Sequence, residues 1–200
     1  RMLRNPGASQ ARIMGASQTS ALEKWLLQCH RSPEQTLRPK WISSASMVLP
    51  RRLGASTSQG PHPEECFSRD GWDGYPASRA RLLGFIAHHR IQGVVFISGD
   101  EHLASVTQAT VGSVKVVNIH APALYAPFPF ANAKPAHFAA HERFTVDNAG
   151  QHYDCEVHTE FAPAEDGFVV ATPLLEQGAW FVEVEIQGRQ AKPWTRKIKL

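Results

Sequence analysis

The 200 residues suit one domain or a large part of one, and 42% hydrophobic with 20% charged residues can build a core, which excludes a disordered chain. A formal charge of +3, with no Lys/Arg block, excludes a chain built to bind nucleic acid. No window reaches the roughly 18 consecutive apolar residues of a membrane span.

The chain opens Arg1-Met2-Leu3 rather than at an initiator Met, with no signal-peptide pattern, so a processed or partial chain is expected. Residues 1–16 carry Gly, Pro, Ser and Asn and read as loop. Leu22, Trp25, Leu26 and Cys29 then fall on one helical face. Ser20 and Glu23 have capping-box spacing and predict a helix start near Ser20. "HRSPEQTLRP" breaks that helix, and "WISSASMVLP", Trp41 to Pro50, reads as a short buried strand. Residues 51–71 are a long polar loop of the kind that is often functional. A second helix is predicted from about Pro76 to His89, with proline in its first turn and Leu82, Leu83, Phe85 and Ile86 as its buried face.

Val94 to Ser98 is a continuous apolar run, as expected for a strand covered on both faces. Another strand follows at Val114 to Ile119, and then the Pro-rich, aromatic "HAPALYAPFPFANAKP", read as an ordered loop. From about residue 140 the pattern changes. "RFTVDN", "YDCEVHTEF", "FVVAT", "WFVEVEIQG" and "WTRKIKL" alternate apolar and polar residues and predict antiparallel strands with one wet face. Cys29, Cys66 and Cys155 lack CxxC spacing, which argues against a zinc knuckle; one disulfide plus a free thiol stays open.

Three stretches carry candidate chemistry. In "VVFISGDEHLASV" a buried strand ends at Gly99, and Asp100 and His102 follow at the carboxyl end, where ligands bind in open α/β sheets. A carboxylate and an imidazole aimed at one point suit a metal ion, although a catalytic metal generally takes three protein ligands. Gly99 is expected to make the sharp turn and leave room for a ligand. In "SRDGWDGYPASRARLL", Asp70 and Asp73 flank Trp72; either Asp is a ligand candidate, with a turn bond at Asp73 and a loop anchor at Trp72 as the plainer reading. Arg79 and Arg81 read as helix-surface residues. His120 ends a strand and is a candidate proton donor, or a histidine satisfied by backbone in a packed loop.

In this order, "IMGASQTSALEKWL", "RDGWDGYPASRARLL", "VVFISGDEHLASV" and "LYAPFPFAN" resemble the motifs of alkaline phosphatase D-like (PhoD-like) metallophosphoesterases, over about residues 10–135. The resemblance implies an α/β fold, part of a calcineurin-like metallophosphatase sandwich of helix, sheet, sheet and helix, with a C-terminal run of antiparallel strands. The 200 residues are then one domain, the C-terminal portion of such a unit: an α/β part to about 135 and a β-rich part over about 140–200. It implies a metal-dependent phosphoric ester hydrolase that uses metal-activated water on a phosphate ester, mono or di. Asp100 and His102 carry over as ligands to Fe, Ca, Mn or Zn, and Asp70, matching the first Asp of the family's D-x-W-D-G-Y motif, as a further site residue beside Asp73. His120 stands where relatives often have Ser, and is the candidate catalytic histidine from its strand-end place alone. A periplasmic or extracellular setting is implied as well. The family's other ligand motifs, which lie upstream, do not precede "IMGASQ" here. The alternative is therefore an incomplete or non-catalytic fragment with a structural or weak binding role.

Overall fold

The computed structural model describes residues 11–53, 56–57, 60–61, 71–126, 133–163, 166–189 and 192–200. Helix α1 (Ala16–Arg31) leads into β1 (Lys40–Ser44), a short hairpin of β2 (Ser56–Thr57) and β3 (Gly60–Pro61), a 3-10 turn (Trp72–Gly74) and α2 (Pro76–His88). Then come β4 (Val94–Ser98), β5 (Ser105–Val111), β6 (Val114–His120), a 3-10 turn (Pro135–His137), β7 (His141–Asn148) and β8 (Gln151–Phe161). Last are β9 (Gly167–Glu176), β10 (Ala179–Gly188) and β11 (Trp194–Lys199).

The larger sheet has the order β1-β4-β6-β5-β8-β7 and the smaller one β11-β10-β9. β1, β4 and β6 run parallel, and the crossover from β1 to β4 carries α2. β5, β7 and β8 continue the same sheet antiparallel, so the strands predicted after residue 140 divide between two sheets.

One face of the large sheet presents Val94, Phe96, Val114 and Val116 to Leu26 of α1 and to Leu82, Leu83 and Ile86 of α2. The other presents Val95, Val106, Val117 and Ile119 to Val182, Val184, Ile186 and Ile198 of the small sheet. Every fully buried aliphatic side chain of this kind contributes about 1.5–3 kcal/mol. β4 is thus buried on both faces over residues 94–96, which is why it reads as an unbroken hydrophobic run.

Three sequence expectations shift. Helix α1 begins at Ala16, with Gly15 as an N-cap that lends no side-chain bond, so the Ser20/Glu23 spacing falls inside the helix. Glu23 instead reaches across to Arg81 of α2, at 2.8 and 3.0 Å. β1 stops at Ser44 rather than Pro50. The Ser44 hydroxyl donates to the Ser46 carbonyl at 2.7 Å, and the N–H groups of Val48 and Leu49 are taken by the Asn118 side chain rather than by a strand neighbour. β5 has no counterpart in the sequence reading, because Thr107, Gln108, Ala109 and Thr110 give it little hydrophobic signal. It is nonetheless buried at Ser105, Val106, Thr107, Ala109 and Val111. The Gly112-Ser113 turn, with Gly112 at φ +59°, closes it onto β6.

α2 lies against β7 at Gly84, where an added Cβ would sit 2.8 Å from the Asp147 carbonyl oxygen and 3.0 Å from the Asn148 Cβ. Although alanine has the better helix propensity, Gly84→Ala is expected to destabilise the fold by about 1–3 kcal/mol, through overpacking against backbone that cannot yield. Urea unfolding of the variant checks this; a midpoint at or above wild type would show that the helix can shift away from β7.

Candidate functional site

The parallel strands end together. Ser44, Ser98 and His120 stand side by side in register, and Ser105 of β5 lies beside His120. Beyond Ser98 the chain turns through Gly99 to Ala104. Gly99 does not carry the unusual backbone: Asp100 lies at φ +89° and His102 at φ +52°, whereas Gly99 is not among the positive-φ residues. Left-handed conformations at non-glycine residues cost on the order of 1–3 kcal/mol each and persist only where surroundings impose them. Here the Ala121 N–H donates to the Ser98 carbonyl (2.8 Å), the Ala133 N–H to Glu101 (3.0 Å) and the Ala162 N–H to Ala104 (3.0 Å). Leu103 is fully buried in a small cluster with Met47, Ala133 and Phe138. The loop is nailed down on both sides of two strained residues, and those two carry the carboxylate and the imidazole. A Cβ added at Gly99 would meet nothing within 4 Å, so the ground beside Asp100 is open.

Beneath the loop runs a buried polar chain. Asn118 Oδ1 accepts from the Val48 and Leu49 N–H groups at 3.2 and 3.4 Å, which fixes its amide orientation. Its Nδ2 then donates to Ser98 Oγ at 2.9 Å, and Ser98 Oγ lies 2.8 Å from His120 Nδ1. His120 is fully enclosed, and among the described residues its Nε2 finds no hydrogen-bond partner; nor does Ser105 Oγ. Burial pushes the His120 pKa down to about 4, so the ring is neutral at physiological pH. The unfolded chain takes up this proton at the ordinary value of 6.5 and the folded chain only near 4. Stability from the neutral ring is therefore present above pH 6.5 and is lost as pH falls toward 4. The loss is on the order of 3 kcal/mol. His120→Gln is expected to flatten this acid limb of the unfolding free energy, measured by denaturant titrations from neutral pH to pH 4; an unchanged limb would assign it to other groups.

A second set of contacts meets the loop from the side. Trp72 is buried and donates its Nε1–H to Ser44 Oγ at 2.9 Å, which seats the Trp72–Gly74 turn on the end of β1. Asp73 accepts from the Arg52 backbone N–H at Oδ2 (2.9 Å) and from Arg79 Nη1 at Oδ1 (2.7 Å). Both of its oxygens are thus engaged in holding protein. Arg79, read from sequence as a surface residue, is buried, because Asp73 and the ring of Phe144 receive its guanidinium. Arg81 does lie at the surface, paired with Glu23. The Arg52 side chain pairs with Glu101, the residue between Asp100 and His102.

Of the candidate residues, Asp100 and His102 share one strained loop, His120 lies buried next to that loop's root, and Asp73 stands to the side as a clamp. Asp70 lies outside the described residues. Among the described residues no group of three or more His, Cys, Asp or Glu side chains could hold a metal ion; Asp100 and His102 are two such side chains on one loop. Cys29 and Cys155 are buried free thiols, and burial with Asp154 alongside pushes Cys155 up to about 12; Cys66 lies outside the described residues. Sequence reasoning missed Asn118, Ser98, Glu101 and Arg52. Only the run of polar residues at the ends of otherwise apolar strands marked Asn118 and Ser98, and nothing local marked Arg52.

No helix among the described residues is long and apolar enough to cross a membrane. A mixed α/β unit with a candidate site at the ends of parallel strands is the class of protein that this geometry defines. The family model for PhoD-like phosphatases matches residues 3–156, and the chain belongs to that family. The chain is similar to alkaline phosphatase D of Bacillus subtilis (strain 168), 36% identical over 62 residues, which is 31% of this chain and 10% of that protein. A solved structure described as "Structure of PhoD" aligns with a TM-score of 0.42 at 18% identity, covering 94% of this chain and 36% of that one. The chain thus spans about a third of the solved relative's length, and the match to the curated relative takes in a tenth of that protein.

Proposed function

We propose that this chain is the portion of a metal-dependent phosphoric ester hydrolase that carries one metal-binding loop, with Asp100 and His102 as ligands and a phosphate mono- or diester as substrate. The observation that carries the reading is the pinned loop in a chain of the PhoD-like family: left-handed backbone is forced on the carboxylate and imidazole residues themselves. Strain retained at such residues motivates a role in function. A carboxylate with an imidazole suits Fe, Mn or Zn, and a carboxylate-rich completion would suit Ca.

A bound ion would supply positive charge against the phosphoryl oxygens and acidify the attacking water. The chain's own residues hold geometry. The Asn118–Ser98–His120 chain fixes the root of the loop from below. Enclosed in the fold, His120 has no open face toward substrate, and as a neutral ring at physiological pH it is not the imidazolium a general acid would use. We therefore read it as a positioning residue rather than the proton donor that its strand-end place suggests. Asp70 keeps its place as a site candidate from the motif alone, and Asp73 acts as the clamp that orders the neighbouring segment.

A second reading is a non-catalytic unit that binds weakly or serves structure. It is favoured by the two-donor set among the described residues. One experiment separates them: metal content of the purified 200-residue chain, with hydrolysis of p-nitrophenyl phosphate and its bis ester, for wild type, Asp100→Ala, Asp100→Gly and His102→Ala. The enzyme reading expects bound metal in wild type, lost with turnover in all three variants. It also expects Asp100→Gly to be more stable than Asp100→Ala by about 1 kcal/mol, because glycine accepts φ +89° without a Cβ clash. Wild type without metal or turnover would show that the site is incomplete within these 200 residues and favour the second reading.

A further inference from the structure

We infer that Arg52 contacts the phosphoryl group of the ester, with Asp73 and Glu101 as the residues that position it; this rests on the phosphoesterase reading above. Three observations converge on Arg52. Its backbone is fixed: the Arg52 N–H donates to Asp73, Leu53 N–H donates to the His137 carbonyl at 2.7 Å, and the Arg51 carbonyl accepts from the Ala139 N–H at 2.9 Å. Its side chain is directed: Glu101, inside the Asp100–His102 loop, receives one N–H, and the guanidinium carbon lies 5.4 Å from the centre of the Phe138 ring. Its side chain is also partly open to solvent, at 22% exposure.

The neighbouring cations are committed elsewhere. Arg79 is buried against Asp73 and Phe144, and Arg51 pairs with Glu142. The Arg52 side chain touches the candidate metal loop directly. A guanidinium offers five N–H donors in a planar fork, and a single carboxylate partner engages at most two of them. The remaining fork matches two phosphoryl oxygens, a geometry that a lysine cannot reproduce. Because Glu101 balances its charge, Arg52 would add direction and hydrogen bonds more than net attraction. That is what discriminating a tetrahedral phosphoryl group from another anion requires.

The test titrates inorganic phosphate into the 200-residue chain in the presence of Mn²⁺ by calorimetry and follows Mn²⁺ binding by electron paramagnetic resonance. It uses wild type, Arg52→Ala, Arg52→Lys, Asp73→Asn and Asp100→Ala, with thermal melts for each. Arg52→Ala is expected to weaken phosphate by roughly 10- to 100-fold, the loss of one or two charge-assisted hydrogen bonds, with Mn²⁺ affinity unchanged. Arg52→Lys and Asp73→Asn are expected to lose less, and added guanidinium ion to restore part of the phosphate binding in Arg52→Ala. If Arg52→Ala binds phosphate like wild type while Asp100→Ala loses Mn²⁺, the inference fails and the metallophosphoesterase reading stands. If Arg52→Ala loses Mn²⁺ and phosphate together, Arg52 merely supports the loop and the inference fails. Wild type that takes up neither Mn²⁺ nor phosphate overturns the reading and the inference with it.

Discussion

A parallel strand covered on both faces has no place for polar side chains except at its ends. β4 obeys this: Val94, Val95 and Phe96 are fully buried between the helices and the small sheet. The buried polar residues of β4 and β6, Ser98, Asn118 and His120, therefore sit toward the carboxyl ends, and in a dry environment each needs a partner. The Asn118–Ser98–His120 chain is the result. It satisfies most of its own members and also holds the Val48–Leu49 segment beside them. The rest of the candidate site is hung from that arrangement.

Two supports meet there. From below, the buried polar chain fixes the root of the Gly99–Ala104 turn. From the side, Trp72 docks on Ser44 and Asp73 gathers Arg52 and Arg79. Arg52 then returns to the loop through Glu101. The motif around Trp72 and the strand-end turn are far apart in sequence, and Arg52 links them. Backbone strain at Asp100 and His102 is tolerable because these supports leave the loop no relaxed alternative.

The engagement of Asp73 shows why a motif's residues need not all do chemistry. A carboxylate whose two oxygens hold a backbone N–H and a buried arginine is spent on architecture. The same holds for His120, whose position at a strand end suggested reactivity and whose burial removes it from solvent. In both cases the side chain's hydrogen bonds go to neighbouring protein groups. The family relation fits this division of labour, since a chain matched over residues 3–156 keeps the supports together with the loop.

Much of the local structure was legible in the sequence. The apolar run at Val94–Ser98, the proline-led helix at Pro76 and the alternating strands after residue 140 follow from hydrophobic periodicity and turn chemistry, which are properties of neighbouring residues. The candidate pair Asp100 and His102 was legible too, as two chemistry-bearing side chains just past a strand. What the sequence could not determine depends on distant partners. β5 is a strand because β6 and β8 flank it, not because Ser-Val-Thr-Gln-Ala-Thr-Val demands it. β1 ends early because Asn118, some seventy residues away, takes the N–H groups that would have extended it. Arg79 is buried because Asp73 lies 2.7 Å from it, and Arg52 belongs to the site because Glu101 draws it in. The sequence alone determined most of the regular segments and which residues could bind or catalyse. Only tertiary structure decided which of them meet, because hydrogen-bond partners and burial are set by the packing of remote segments.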